Sequence, residues 1–183
     1  MYDPAAIRKK LADLRCRTLS EGDQAAVLLG LVQRNPDLCF VLTRRTESVA
    51  THKGQISFPG GVRESGDPDL VATALRETAE EIGVPPQSVE VLGLFHEYPA
   101  VTGHRVRAVV GMIDPAAVYR PHSVEVAYVL EIPVGFFLET LPAVESREVR
   151  GQVRDVYFWD FHGELVWGLT ARMIKDFVEF VVL

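Results

Sequence analysis

"ISFPGGVRESGDPDLVATALRETAEEIGV", residues 56–84, is the most informative stretch of this chain. It opens on an apolar alternation, with Ile56 and Phe58 spaced around Ser57 and preceded by Gln55, which is the period of a half-buried strand. Pro59 stops that strand because it has no N–H to give to a ladder. Gly60 and Gly61 then let the backbone take positive φ or approach another group with no side chain in the way. Asp67 suits an N-cap, Pro68 a first helical position and Gly83 the residue just past a helix, so the spacing predicts a helix from about Pro68 to Ile82. At ~100° per residue, Glu77, Glu80 and Glu81 fall within one arc of roughly 100°. Val71, Leu75 and Ile82 gather on the opposite side and are expected to face the core. Like charges at i,i+4 cost on the order of tenths of a kcal/mol, so Glu77 and Glu81 gain nothing from sharing an edge of an isolated helix. Two uses of that edge fit the residues. It is a solvated acidic face relieved by Arg76, four residues before Glu80, or it is a seat for a hard divalent cation. Such cations take carboxylates together with phosphate oxygens and water.

On either side of this stretch the chain alternates strand and helix patterns. "QAAVLLGLVQ" (24–33) and "LCFVLTRR" (38–45) flank "RNPD", a turn-forming tetrapeptide, and read as a hairpin. Asp3 and Pro4 open a helix to about Arg15. "VEVLGLFHEY" (89–98), "RVRAVVGMID" (105–114) and "EVAYVLEIPV" (125–134) are β-rich, "VRDVYFWDF" and "ELVWG" read as late strands, and "LTARMIKDFVEFV" as a final helix. The pattern predicts an α/β layered fold, a mixed β-sheet sandwiched between helices, with residues 1–183 as one domain.

At 183 residues, 48% hydrophobic and 24% charged, the chain can bury a sizeable core. A formal net charge of −6 argues against nucleic-acid binding. The basic residues are nevertheless uneven, with Arg44, Arg45 and Lys53 in one stretch and His104, Arg105 and Arg107 in another. Cys16 and Cys39 are too few for a disulfide framework and lack metal-ligand spacing, so a reducing compartment is expected. The N-terminus has no signal-peptide core, and no apolar run approaches the ~18 residues of a membrane span. A cytoplasmic protein with no membrane partner is the expectation.

"RETAEEIGV", Arg76 to Val84, resembles the Nudix hydrolase signature REUxEExGU, where U is a bulky apolar residue. Val84 meets the second U position; Thr78 at the first is a departure. The signature also asks for a glycine, five residues, a glutamate, seven residues and then the arginine. Counted from Gly61 the acid position is Asp67, with one residue too many before Arg76; counted back from Arg76 it is Pro68. The first glutamate of the signature, chiefly a structural partner in the family, is therefore missing while the catalytic half is intact.

The longer run "VLTRRTESVATHKGQISFPGG" is similar to the motif of coenzyme A pyrophosphatases within that family, with Leu42, Thr43, Arg45, His52, Gly54, Gln55, Phe58, Pro59, Gly60 and Gly61 matching. The resemblance implies a Nudix fold and hydrolysis of the coenzyme A diphosphate, in its free, acyl or oxidised form, to 3′,5′-ADP and 4′-phosphopantetheine or its derivative. It implies Mg²⁺ or Mn²⁺ held by Glu77, Glu80 and Glu81 with the Gly61 carbonyl, and Arg76 orienting the glutamates. Glu125 is a candidate general base beside the glutamates of the helix, and an exposed glutamate at a strand start fits it equally. Arg44, Arg45, His52, Lys53 and Gln55 are the candidate substrate contacts. Two other readings stay open: a Nudix hydrolase of another nucleoside diphosphate derivative such as ADP-ribose or NADH, and a Nudix-fold ligand sensor without catalysis. Nudix folds often form homodimers, and no feature of this sequence decides the matter.

Overall fold

The computed structural model describes residues 3–20, 23–47, 53–149 and 151–182. Helix α1 (Pro4–Asp13) begins as expected, with the Asp3 carboxylate accepting from the Ala5 N–H. Strands β1 (Gln24–Arg34) and β2 (Asp37–Arg45) form the antiparallel hairpin, turning at Asn35–Pro36. The next strands are β3 (Ile56–Ser57) and β4 (Gly60–Val62), then comes helix α2 (Leu70–Ile82). Strands β5 (Val89–Pro99), β6 (Arg105–Ile113) and β7 (Val126–Pro133) follow, then the short helix α3 (Val134–Glu139). Strands β8 (Ala143–Val149), β9 (Gln152–Phe161) and β10 (Glu164–Trp167) lead into the final helix α4 (Gly168–Val182).

Seven strands build one mixed sheet in the order β3-β2-β1-β6-β5, with β4 on β1 and β7 on β2. β1 and β6 are its parallel pair, in register from Gln24↔Arg105 to Val32↔Ile113. Both faces are covered, which is why β1 and β2 are near-continuous apolar runs. Side chains still alternate. Leu38, Phe40 and Leu42 enter the core on the α1 and α4 side, where Phe40 meets Phe58, Phe137 and Phe177 edge-to-face at 5.6–5.9 Å. Cys39 and Val41 enter the core beneath α2.

β1 and β2 pair only from Gly30↔Val41 to Arg34↔Asp37 and then diverge. The segment around Pro59 occupies the fork, β3 pairing with β2 at Thr43 and Arg44 and β4 pairing with β1 at Ala25 to Val27. At the bottom of the fork the Leu28 N–H donates to Pro59 O at 2.8 Å. A Cβ on Gly60 would lie 2.3 Å from Ala26 O, so only glycine lets this turn sit against β1. α2 packs over the β1/β4 junction.

Two expectations change. The N-cap of α2 is Asp69, whose carboxylate accepts from the Ala72 N–H at 2.8 Å; Asp67 is not the cap and Pro68 precedes the helix. Both aspartates flank the proline, and tertiary contacts claim the first. The three-stranded antiparallel sheet β10-β9-β8 is separate from the main sheet, and β8 and α3 are additions to the predicted elements. The C-terminal stop of α2 is as read: Gly83 takes a left-handed φ of 72° and its N–H bonds Ala79 O.

Candidate functional site

The acidic edge of α2 lies against β4 and the end of β2, and its three carboxylates sit in three environments. Glu81 is buried, with 5% of its surface exposed; Glu77 is half-buried and Glu80 is exposed. The reading of this edge as a solvated acidic face therefore fails for Glu81, because the helix edge meets the sheet rather than open water. Val71 and Leu75 are partly buried and pack on the inner core, while Ala74 and Ile82 are fully within it. Thr78, at the departure from the signature, is buried too, and its hydroxyl donates to Ala74 O at 2.7 Å, so no polar group is left unpaired there.

Gly61 sits directly beneath Glu77. A Cβ there would fall 2.4 Å from Glu77 Oε1, 2.5 Å from Cδ and 2.7 Å from Oε2. The glycine pair thus serves two close approaches, Gly60 to β1 and Gly61 to a carboxylate.

Arg76 is the hub of the outer half. Its Nε donates to Asp67 Oδ1 at 3.0 Å and Nη2 to Asp67 Oδ2 at 3.1 Å, while Nη1 lies 3.0 Å from both Glu77 Oε1 and Glu80 Oε2. Nη2 also reaches Val62 O. Asp67, buried, further accepts from the Thr73 hydroxyl and the Glu64 N–H. Arg76 and these donors hold its carboxyl well below the usual carboxylate range. Asp67 thus anchors Arg76, the kind of structural partnership that the resemblance implies for the missing glutamate of the signature. The signal was present in the sequence as an acid at the right distance from Gly61.

Burial pushes Glu81 up to about 7; the Arg45 guanidinium opposes the shift, and the Glu77 and Glu125 charges add to it. Burial raises Glu77 as well, against Arg76. Glu125 is exposed, in the turn before β7, and its charge acts on both glutamates. That turn is tied to both sides of the site. The Arg120 and His122 N–H groups donate to Ile82 O and Glu81 O at 2.7 and 2.8 Å, and Thr46 N–H donates to Glu125 O at 2.9 Å. Sequence reading missed this clamp, which is made of backbone atoms and leaves no residue-type signature.

Of the candidate substrate contacts, Arg45 is on the α2 side, its Nη1 3.8 Å from Glu81 Oε1. Arg44 is not brought to the site. Strand alternation turns it to the opposite face, where it bonds Glu164 at 2.8 Å, and Tyr128 bonds the same carboxylate. Gln55 is adjacent, its carbonyl accepting from the Arg45 N–H, and Lys53 is exposed two residues before it. His52 lies outside the described residues. The second basic stretch is structural: buried Arg107 bonds Glu97 at 2.9 Å and Phe95 O at 2.8 Å, and Arg105 bonds Leu19 O.

Among the described residues no three His, Cys, Asp or Glu side chains converge as a preformed metal cage. Glu80 is drawn outward to Arg76, and the inner pair is Glu77 with Glu81. The donor set still suits a hard cation. Glu81 Oε2 is buried with no hydrogen-bond partner among the described residues, and Glu77 lies over a glycine that keeps the space beside it clear. A buried carboxylate oxygen left unpaired is costly unless something pairs it.

No helix among the described residues is long and apolar enough to cross a membrane. The NUDIX domain model matches residues 23–158. The Nudix hydrolase NudL of Photorhabdus laumondii is 37% identical over 166 residues, covering 89% of this chain and 88% of that protein. Among solved structures, a Caenorhabditis elegans Ap4A hydrolase binary complex aligns over 87% of this chain and 98% of its own, at 14% identity and a TM-score of 0.57. The NUDIX domain of Shewanella oneidensis NrtR complexed with ADP ribose aligns over 72% and 86%, at 19% identity and a TM-score of 0.52.

Proposed function

Since the chain belongs to the Nudix hydrolase family, we propose that it hydrolyses the diphosphate of coenzyme A to 3′,5′-ADP and 4′-phosphopantetheine, or acylated and oxidised forms to the matching derivative. The observation that carries the hydrolase half is the graded carboxylate edge: a buried Glu81, with one oxygen unpaired among the described residues, beside a half-buried Glu77 over Gly61. Glu77 and Glu81, with Glu80 and the Gly61 carbonyl, would hold Mg²⁺ or Mn²⁺. Such a cation supplies charge neutralisation on the diphosphate and lowers the pKa of a bound water.

The chain's own groups do the rest. Water adds to one phosphorus, the bridging P–O bond breaks, and the second phosphate leaves as a monoester. Glu125, exposed and within electrostatic reach of Glu77 and Glu81, takes the proton from the attacking water. Arg76 holds Glu77 and Glu80 in place and is itself anchored by Asp67, so it positions groups without touching substrate. Arg45 and Lys53 provide cationic contacts for phosphate, with His52 and Gln55 in the same stretch.

Support for coenzyme A over other diphosphates is the run from Leu42 to Gly61, which matches the coenzyme A pyrophosphatase motif at ten positions. The deciding experiment incubates the pure protein with Mg²⁺ and coenzyme A, ADP-ribose, NADH or nucleoside triphosphates and identifies products by chromatography. Formation of 3′,5′-ADP from coenzyme A at the highest kcat/KM is expected. Faster cleavage of ADP-ribose or NADH would replace the substrate and keep the hydrolase; no cleavage of any would favour a ligand sensor.

A further inference from the structure

The innermost ion pair of the site is incompletely made. Arg45 Nη1 stands 3.8 Å from Glu81 Oε1, outside hydrogen-bond distance. Arg45 Nε and Glu81 Oε2 are both buried, and neither has a hydrogen-bond partner among the described residues. The contrast is with Arg107 and Glu97, a more deeply buried pair: Arg107 bonds Glu97 at 2.9 Å and Phe95 O at 2.8 Å, both Glu97 oxygens are paired, and Arg107 Nε alone is left over among the described residues. A buried charge pair without good hydrogen bonds does not recover its desolvation cost. What sets the Arg45–Glu81 pair apart is the 3.8 Å gap and the carboxylate oxygen left unpaired among the described residues, which leave room for a third body to complete the pair.

Resting on the diphosphatase reading, we propose that Arg45 is an exchangeable counter-ion: it balances Glu81 in the metal-free protein and moves to the substrate diphosphate when a divalent cation takes that carboxylate. The geometry favours such an exchange. Arg45 ends β2, and the β2–β7 register slips between Arg44 and Arg45, a bulge at the point where the strand leaves the ladder. Its backbone stays fixed through the N–H to Gln55 O at 3.0 Å, so the guanidinium can swing without moving the strand. A cation at Glu81 repels Arg45 at short range, and a diphosphate on the cation attracts it. Metal and substrate binding are then coupled through one side chain, in addition to any oxygen the metal and diphosphate share.

The test separates this coupling from metal chelation by removing metal altogether. α,β-Methylene-ADP, a diphosphate that cannot be hydrolysed at the bridge, is titrated by calorimetry into the full chain in EDTA. The proteins compared are the parent, Glu81→Gln, Arg45→Gln and the double variant, each checked for its fold by circular dichroism. Glu81→Gln releases Arg45 without a metal and is expected to bind the probe about tenfold more tightly than the parent, the scale of one charge-assisted contact to phosphate. The gain should vanish in the double variant. A gain that survives there is general relief of charge repulsion and overturns the exchange, as does no gain in Glu81→Gln. The parent with Mn²⁺ is run alongside: probe binding there upholds the diphosphate site whatever Glu81→Gln does, and its absence removes both.

Discussion

Gly61→Ala is the sharpest perturbation of this site, because the structure separates its effect on the fold from its effect on the chemistry. Gly61 is not in the left-handed region, so alanine meets no backbone strain there. Its added methyl would stand 2.4–2.7 Å from the carboxylate atoms of Glu77, under the 3.0 Å that real Cβ atoms respect. Glu77 is the end of a flexible side chain and gives way; restoring ordinary contact takes a shift of about 1 Å at the carboxylate. Removing a glycine from the unfolded chain stabilises by roughly 0.4–1 kcal/mol where the conformation is compatible. Stability should thus be equal or slightly raised. Activity should not be: a misplacement of ~1 Å costs on the order of 10²-fold, here with weaker metal binding as its origin. The assay pairs urea unfolding with steady-state turnover across a Mg²⁺ series. A Gly61→Ala protein that turns over within threefold of the parent at every Mg²⁺ concentration would refute the placement of Glu77 in the metal shell. One that unfolds would refute the claim that Gly61 is free of structural duty.

Three further outcomes follow from the charges. Glu81 has a folded pKa of about 7 against 4.5 unfolded, so its contribution in the metal-free protein is lost as pH rises from 4.5 to 7, by roughly 3 kcal/mol at most; urea midpoints in EDTA should fall across that window and flatten in Glu81→Gln, and a parallel slope in both would reject the assignment. Asp67 carries the opposite sign, since its depressed pKa stabilises above the unfolded value and that share is lost in acid. Asp67→Asn should therefore lower Tm by several degrees at neutral pH, remove part of the acid sensitivity and reduce kcat through a loosened Arg76, and an unchanged melt would show that the Arg76 anchor is dispensable. Coenzyme A should be preferred over its dephospho form by about tenfold in kcat/KM, less at high salt, with Lys53→Ala shrinking the preference; equal efficiency on both in the parent would remove the 3′-phosphate from recognition.

What could be read from the residues alone was whatever is encoded locally. The hairpin, α2 with its Gly83 stop, and α4 follow from period and turn chemistry, and they appear at nearly the expected bounds. β8 was invisible for a physical reason: residues 143–148 are all exposed, so no buried face imposes an apolar alternation. The start of α2 was misplaced because Asp67 and Asp69 are equal as caps, and only the distant Arg76 distinguishes them. The site was legible as a set of residue types and not as an arrangement. Three glutamates on one edge looked equivalent, yet the sheet buries Glu81, Gly61 crowds Glu77 and Arg76 draws Glu80 outward. Arg44 and Arg45 looked like one cationic patch, and the pleat places them on opposite faces.

That last separation ties the site to the core. Arg45 shares its face with Cys39, Val41 and Thr43, and Arg44 shares the other with Leu38, Phe40 and Leu42. A slip of β2 by one residue would bring Arg44 to Glu81 and turn Phe40 out of its aromatic cluster. The position of Arg45 is therefore held by packing on the face it does not occupy, and the two faces predict different phenotypes. Phe40 is fully buried and meets three aromatic rings, so Phe40→Ala should cost roughly 3–5 kcal/mol of stability. Its kcat per folded molecule should stay near that of the parent, because β2 has no alternative register that buries as much. Arg45→Gln should act at the site instead, raising KM in the Mg²⁺-loaded protein, with its loss of urea midpoint confined to EDTA, where Glu81 is left without its counter-ion. The comparison is made at low temperature, with active protein counted by the amplitude of the unfolding transition. If the folded fraction of Phe40→Ala showed the KM defect of Arg45→Gln, the register of β2 would be softer than this packing allows, and the site would not owe its arrangement to the core.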